Sequence, residues 1–232
     1  MIADDPISMP STLSLCFEKS DDIIAEKFMK ILYHIIDFVF PPSAEEIKLR
    51  TFSHESFFKE MPRTSATEFP FIESIFSYKN PLVKELIWQV KYKKNKHAVH
   101  LAAYALLQRL SKLSQSSLLV PIPISKKRRK ERGYNQCELL IDEILKLDTE
   151  NKFQKDFELL IRSKHIEKQT HKDRSERLEN TKGIFEATRK ENLQRKIIII
   201  DDVSTTGSTL KEACEELLSA GYSDVTALTV AH

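Results

Sequence analysis

Lys196-Ile197-Ile198-Ile199-Ile200-Asp201-Asp202-Val203-Ser204-Thr205-Thr206-Gly207-Ser208-Thr209 decides how this chain is read. Four consecutive isoleucines predict a strand buried on both faces, as in the centre of a parallel sheet. The run ends at two carboxylates, and a short loop of hydroxyl residues with one glycine follows. In open α/β sheets, ligands bind beyond the carboxyl ends of the strands. Gly207 lets the backbone approach a ligand closely. The N–H groups from Thr205 to Thr209 can converge on a phosphate, and a helix starting near Thr209 adds its positive dipole end. Thr205, Thr206, Ser208 and Thr209 supply hydroxyl donors. Two carboxylates would repel a phosphate, so Asp201 and Asp202 are better suited to accept hydrogen bonds from sugar hydroxyls. Neither a G-x-G-x-x-G sequence nor a Walker sequence with lysine after glycine is present.

Outward from this stretch the pattern alternates strand and helix. Leu118 to Ile122 is a short apolar strand, and Asn135 to Leu147 is helical, with Leu140, Ile144 and Leu147 in register. Glu158 to Arg162 is a further strand candidate. Thr209 to Ala220 is helical with Gly221 as its stop, and Val225 to Val230 is the last strand. Such alternation predicts an α/β fold, a parallel sheet flanked by helices. Upstream, Asn80-Pro81 opens a helix whose face is Leu82, Leu86 and Val90, and a second helix covers Ala98 to Leu113. Residues 43–75 read as irregular, with weak strand or helix hints. Ser20 caps a helix that carries Ile24, Phe28, Ile31, Ile35 and Val39 and ends at Pro41-Pro42. The expected organisation is an N-terminal extension over 1–75, partly helical, and an α/β domain over 76–232.

The second chemical signal is Ser125-Lys126-Lys127-Arg128-Arg129-Lys130-Glu131-Arg132, in which six of eight residues are basic. It follows Val120-Pro121-Ile122-Pro123-Ile124, so the strand delivers it, as a loop, to the sheet edge that carries Asp201. Arginine forks suit phosphate oxygens and lysines add mobile charge. A pyrophosphate or a nucleic-acid backbone would be stabilised there. The segment from Gln169 to Gly183, with Arg162, Lys164, Lys168, Lys172, Arg174 and Arg177 in or near it, is a charged loop able to close over a phosphate site. Trp88 is expected in helix packing and Cys214 in the core.

These residues carry a resemblance. Ile198 to Thr209 resembles the phosphoribosyl-pyrophosphate signature of type I phosphoribosyltransferases. The region 76–232 is similar to the ComF family, phosphoribosyltransferase-like proteins associated with DNA uptake in natural competence. The resemblance rests on the basic segment to Gln136, on Tyr78-Lys79-Asn80-Pro81 through Lys91-Tyr92-Lys93, and on Arg162, Gln169, Glu176-Arg177-Leu178-Glu179-Asn180 and Gly183-Ile184-Phe185. Ile35 to Pro42 matches weakly. It implies that Asp201 and Asp202 hold the ribose hydroxyls. Ser204, Thr205, Thr206, Gly207, Ser208 and Thr209 would wrap the 5′-phosphate. Ser125, Lys126, Lys127, Arg128 and Arg132 would face pyrophosphate. Mg²⁺ would arrive with phosphoribosyl pyrophosphate rather than sit in a protein cage. A transferase of this kind would displace pyrophosphate at the anomeric carbon of the ribose, and the acceptor and catalytic residues stay open. The alternative is a non-catalytic module for a phosphorylated ligand or single-stranded DNA, for which Lys91-Tyr92-Lys93-Lys94 and Tyr134 interleave cations and aromatics. Competence proteins are the partners implied.

Many family members follow the proline with a four-cysteine zinc module. Residues 43–75 contain no cysteine, and His54 is their single histidine, so no structural zinc is expected. Cys16, Cys137 and Cys214 are odd in number and widely spaced, which fits a reducing, cytoplasmic setting. Ile31 to Phe40 includes His34 and Asp37 and is too short to span a bilayer, so no membrane insertion is expected. The net charge of +2 hides an asymmetry. Residues 1–80 hold 8 basic and 13 acidic side chains, against 28 and 21 in residues 81–232, so the second segment attracts anions.

Overall fold

The computed structural model describes residues 42–64, 69–163, 183–188 and 195–232. Glu45–His232 forms one compact unit. In chain order its helices and strands begin with α1 (Ala44–Thr51), α2 (His54–Glu60), β1 (Ile72–Phe76) and α3 (Pro81–Trp88). A π-turn over Gln89–Lys93 prolongs α3. Then come α4 (Lys96–Leu110), β2 (Ser117–Pro121), α5 (Lys126–Arg132), α6 (Gln136–Leu147) and β3 (Phe153–Lys155). β4 (Leu160–Arg162), β5 (Phe185–Ala187), β6 (Lys196–Val203), α7 (Ser208–Ser219) and β7 (Val225–Ala231) complete it.

Five strands form one parallel sheet in the order β1-β7-β6-β2-β3. The isoleucine strand β6 is central, as its composition predicts. Alternation along β6 sends Ile198 and Ile200 into a core with α1, α2, α3, α4 and α6, while Ile197 and Ile199 enter a second core with α7 and the β4–β5 hairpin. Both faces of the strand are therefore dry from Ile197 to Ile200, where no polar residue interrupts it. The parallel register places the ends of β1, β2, β6 and β7 at one edge. Ile122 N–H donates to Ile200 O (3.0 Å) and Ser204 N–H to Ala231 O (3.0 Å), so the chain segments leaving these strands stay tied together at that edge.

Two expectations need correction. Residues 43–75 are not irregular over their described part. Ser53 caps α2 by accepting from Ser56 N–H, Phe57 is fully buried, and β1 pairs with β7 along the sheet edge. Local propensity is weak there, and packing against Phe76 and α4 supplies the order. Trp88 does not pack in the core. Leu82, Val83, Leu86 and Ile87 take the buried face of α3 and leave Trp88 43% exposed. Cys214 is buried, as expected. The helix expected over residues 20–40, Cys16, and the charged segment from Gln169 as far as residue 182 lie outside the described residues. No described helix is long and apolar enough to cross a membrane.

The antiparallel β4–β5 hairpin sits against α7. Glu212 and Glu216, one turn apart, accept from Ile184 N–H (2.6 Å) and Ala187 N–H (3.1 Å). Burial raises the Glu212 carboxyl above its ordinary value, against the Ile184 and Gly183 N–H groups and Arg162.

Candidate functional site: an acidic pair facing a cationic wall

β6 carries its acidic pair into the last turn of the sheet, where Asp201 still pairs with Thr229 of β7. Successive strand residues point to opposite faces, so the two carboxylates acquire different partners. Asp201 Oδ1 accepts from Asp202 N–H (2.7 Å) and from the Cys137 thiol (3.5 Å) at the start of α6. Asp202 is 3% exposed, and its Oδ1 lies 3.1 Å from Lys91 Nζ in the π-turn. Asp202 Oδ2 is buried with no hydrogen-bond partner, and so is Ser204 Oγ. Burial and the neighbouring charge of Asp202 push the Asp201 carboxyl well above its ordinary value, despite the N–H bond and Lys91. The same burial, with both aspartates beside it, drives the Cys137 thiol up, so this cysteine is a proton donor rather than a thiolate.

Beyond the pair the chain turns through Ser204–Thr206 to Gly207, whose φ is 76°. A Cβ at Gly207 would come within 2.9 Å of the Phe69 ring and 3.2 Å of Ile72, so glycine is required by both conformation and space. Gly207 caps α7 without a side-chain hydrogen bond, which leaves first-turn N–H groups of a twelve-residue helix available to an anion. Thr206 and Ser208 hydroxyls share a 2.9 Å hydrogen bond and are exposed, as are Thr205 and Thr209.

The opposite wall comes from the segment after β2. The expected basic loop is a helix instead. Ser125 accepts from Arg128 N–H (3.3 Å) as the N-cap, and Gly133 at φ 80° ends the helix. Lysine, arginine and glutamate are good helix formers, so a charged run between those two signals winds up rather than trailing. Helical spacing then sorts the cations. Arg128 and Arg132, four apart, line the cavity with the acidic pair. Ser125 is the cap, Lys126 is exposed, and Lys127 extends toward Glu131 on an exposed face. Arg132 is held by Gln136 Oε1 (2.8 Å) and lies over the Tyr92 ring (4.9 Å). Asn135 caps α6 by accepting from Cys137 N–H and donates to Ile122 O, which fastens the helix to the end of β2.

The resulting cavity is about 350 Å³. It brings together Asp201, Asp202, residues 204–209, Arg128 and Arg132. It is also lined by Arg162, expected near a phosphate site, and by Lys91, Tyr78 and Gln136, to which motif reading assigns no role in the pocket. Lys91 could have been found from the sequence only as part of the basic end of the third helix, where its solvated neighbours Lys93 and Lys94 look the same. Among the described residues, no group of three His, Cys, Asp or Glu side chains is arranged to hold a metal.

The fold and site thus define an α/β protein with a parallel sheet and an anion-compatible cavity at its carboxyl edge. Similarity to known proteins sharpens that class. The chain is 34% identical over 150 residues to competence protein ComFC of Bacillus subtilis, covering 64% of this chain and 58% of that protein. It is 31% identical over 121 residues to competence protein F of Haemophilus influenzae, covering 51% of each. It is 30% identical over 154 residues to competence protein ComFC of Streptococcus pneumoniae, covering 66% of this chain and 64% of that protein. These similarities support homology with the ComF/ComFC proteins, over a region that spans 51% to 64% of each relative's length. No family model matches the chain. Among solved structures, it aligns with the glutamine phosphoribosylpyrophosphate amidotransferase from B. subtilis complexed with ADP and GMP at TM-score 0.38 and 12% identity, covering 62% of this chain and 30% of that one. It aligns with a hypoxanthine phosphoribosyltransferase from Staphylococcus aureus at TM-score 0.34 and 19% identity, covering 56% and 61%.

Proposed function

We propose that this ComF-like chain binds phosphoribosyl pyrophosphate with Mg²⁺ at the carboxyl edge of its sheet, in a role linked to DNA uptake. The observation that carries this reading is the polarity of one cavity. Buried carboxylates lie at one side, an uncapped helix N-terminus at the second, and two arginines at the third. A phosphorylated sugar with a diphosphate arm has matching chemistry. Its vicinal hydroxyls would donate to Asp201 and, once its buried carboxylate turns from Lys91, to Asp202. Its 5′-phosphate would take the N–H groups and hydroxyls of residues 204–209, and its diphosphate would meet Arg128 and Arg132. Asp201 and Asp202 could accept hydrogen bonds from water carried by a Mg²⁺ that arrives with the ligand. When bound, the ion would supply charge neutralisation to the diphosphate. Among the described residues none stands out as an acceptor-binding base, so binding is proposed ahead of turnover.

Calorimetry with phosphoribosyl pyrophosphate and Mg²⁺ tests this. Saturable binding is expected, with loss in Asp201→Ala/Asp202→Ala. Absence of saturable binding by the wild-type chain overturns the reading. A second reading, single-stranded DNA binding, draws on the exposed cluster beside the cavity. Trp88 and Tyr92 rings lie 6.0 Å apart, Lys93 sits over Trp88, and Lys94 over Tyr134. Bases stack on such platforms and phosphates release counterions. Oligonucleotide affinity that falls steeply with salt and weakens in Trp88→Ala would support it, while a flat salt response counts against it.

A further inference from the structure

Lys91 is the one cation ion-paired to the acidic pair among the described residues, and its backbone is unusually constrained. A π-turn is wider than an α-helical turn and changes the direction in which its side chains leave; such turns are frequent at functional sites. This one is locked from two sides. The buried Gln89 side chain donates to Glu85 Oε1 (2.7 Å) and accepts from Asn95 Nδ2 (3.1 Å). The Tyr134 hydroxyl donates to Val90 O (3.0 Å) and accepts from Lys94 N–H (3.1 Å). Lys94 closes the turn in the left-handed region at φ 49°. Tyr134 follows α5 directly, so the turn carrying Lys91 is clipped to the element carrying Arg128 and Arg132.

The pair itself is largely shielded. Side-chain exposure is 21% for Lys91 and 4% for Asp202. Separating such a pair without replacement strands a desolvated charge, which is strongly unfavourable. A sugar hydroxyl is neutral. It can satisfy Asp202, but it gives Lys91 no new counter-charge. A ligand that also carries an anionic arm gives one. Lys91 needs only to turn from Asp202 toward the cavity it already lines with Arg128 and Arg132.

We infer that Lys91 is a specificity-determining residue, whose ion pair with Asp202 makes sugar binding depend on an anionic group at the anomeric position of the same ligand. The inference rests on the sugar-phosphate reading of the cavity given above. Under it, the diphosphate of phosphoribosyl pyrophosphate releases Asp202 by engaging Lys91, and ribose 5-phosphate, with no charge at the anomeric position, cannot do so.

The test is a comparison of affinities for phosphoribosyl pyrophosphate and ribose 5-phosphate, each with Mg²⁺, by calorimetry on the full chain. Wild type, Lys91→Met, Lys91→Gln and Lys91→Arg are measured, and thermal melts identify which variants are folded. The expected result is a preference for the pyrophosphate ligand in wild type and Lys91→Arg. In the two neutral variants that preference shrinks by about tenfold or more, through weaker pyrophosphate-ligand binding together with unchanged or tighter ribose 5-phosphate binding. Equal weakening of both ligands would mean a merely structural role for Lys91, and an unchanged ratio would mean none; either overturns the inference while leaving the cavity reading intact. Wild-type protein that binds neither ligand overturns the cavity reading, and the inference with it.

Discussion

At the scale of single residues, the site is an electrostatic compromise around Asp201 and Asp202. Two adjacent carboxylates at the end of a buried strand repel one another, and burial adds to the penalty on their charged forms. Cys137, Lys91 and one backbone N–H offset part of it. The Asp201 carboxyl is raised in the folded state, so the fold binds its proton more tightly than the unfolded chain does. That contribution to stability is full below the ordinary carboxylate range and is lost as pH rises toward the folded value. Asp201→Asn removes the titrating group. Urea unfolding should therefore show the variant gaining on wild type by about 1 kcal/mol or more between pH 5 and pH 8, while calorimetry shows loss of ligand affinity. Gly207 gives the opposite kind of prediction. Its φ of 76° and the 2.9 Å approach to Phe69 make Gly207→Ala strained as well as crowded. A destabilisation of roughly 1–3 kcal/mol is expected in urea unfolding, with weaker phosphate-ligand binding in the folded fraction.

At the scale of elements, the basic segment shows how secondary structure selects among equivalent side chains. Composition alone treats Lys126, Lys127, Arg128, Arg129, Lys130 and Arg132 as one cationic stretch. The helix α5 separates them. Arg128 and Arg132 reach the cavity, Arg129 pairs with Glu138 of α6, and Lys127 is directed to solvent. Charge reversal can read this partition. Arg128→Glu should weaken binding of phosphoribosyl pyrophosphate by about tenfold or more, and Lys127→Glu by much less, since exposed charges are screened by salt. Equal effects from the two variants would restore the picture of a mobile basic loop. Ser125 and Asn135 accept the capping bonds that start α5 and α6, and the Ser125 hydroxyl keeps its O–H to donate.

At the scale of the whole unit, parallel pairing gathers the site. Asp201 and Arg128 lie on segments far apart in sequence, and only the adjacency of β6 and β2 puts them across one cavity. A ligand that bridges these segments holds the strand ends together, so binding should stabilise the fold. Phosphoribosyl pyrophosphate with Mg²⁺ at a hundredfold excess over its dissociation constant should add about 2.7 kcal/mol, read as a raised melting temperature that Asp201→Ala/Asp202→Ala does not show. Much of this architecture was legible in the chain. The run Ile197 to Ile200, the acidic pair, Gly207 and the alternation of strands and helices already implied a buried parallel strand with an acidic pair and a tight glycine turn into a helix at its end. Hydrophobic period and turn chemistry are local properties, and they survive in one dimension. What only the tertiary structure decided was non-local. It formed β1 and the helices over residues 44–60 from weakly patterned sequence by packing them on the sheet. It turned Trp88 outward, and it chose Lys91 out of a run of similar lysines by the direction of one π-turn. Local sequence specifies which groups can bind an anion or a hydroxyl. Which of them share a cavity depends on chain crossings that no window of sequence contains.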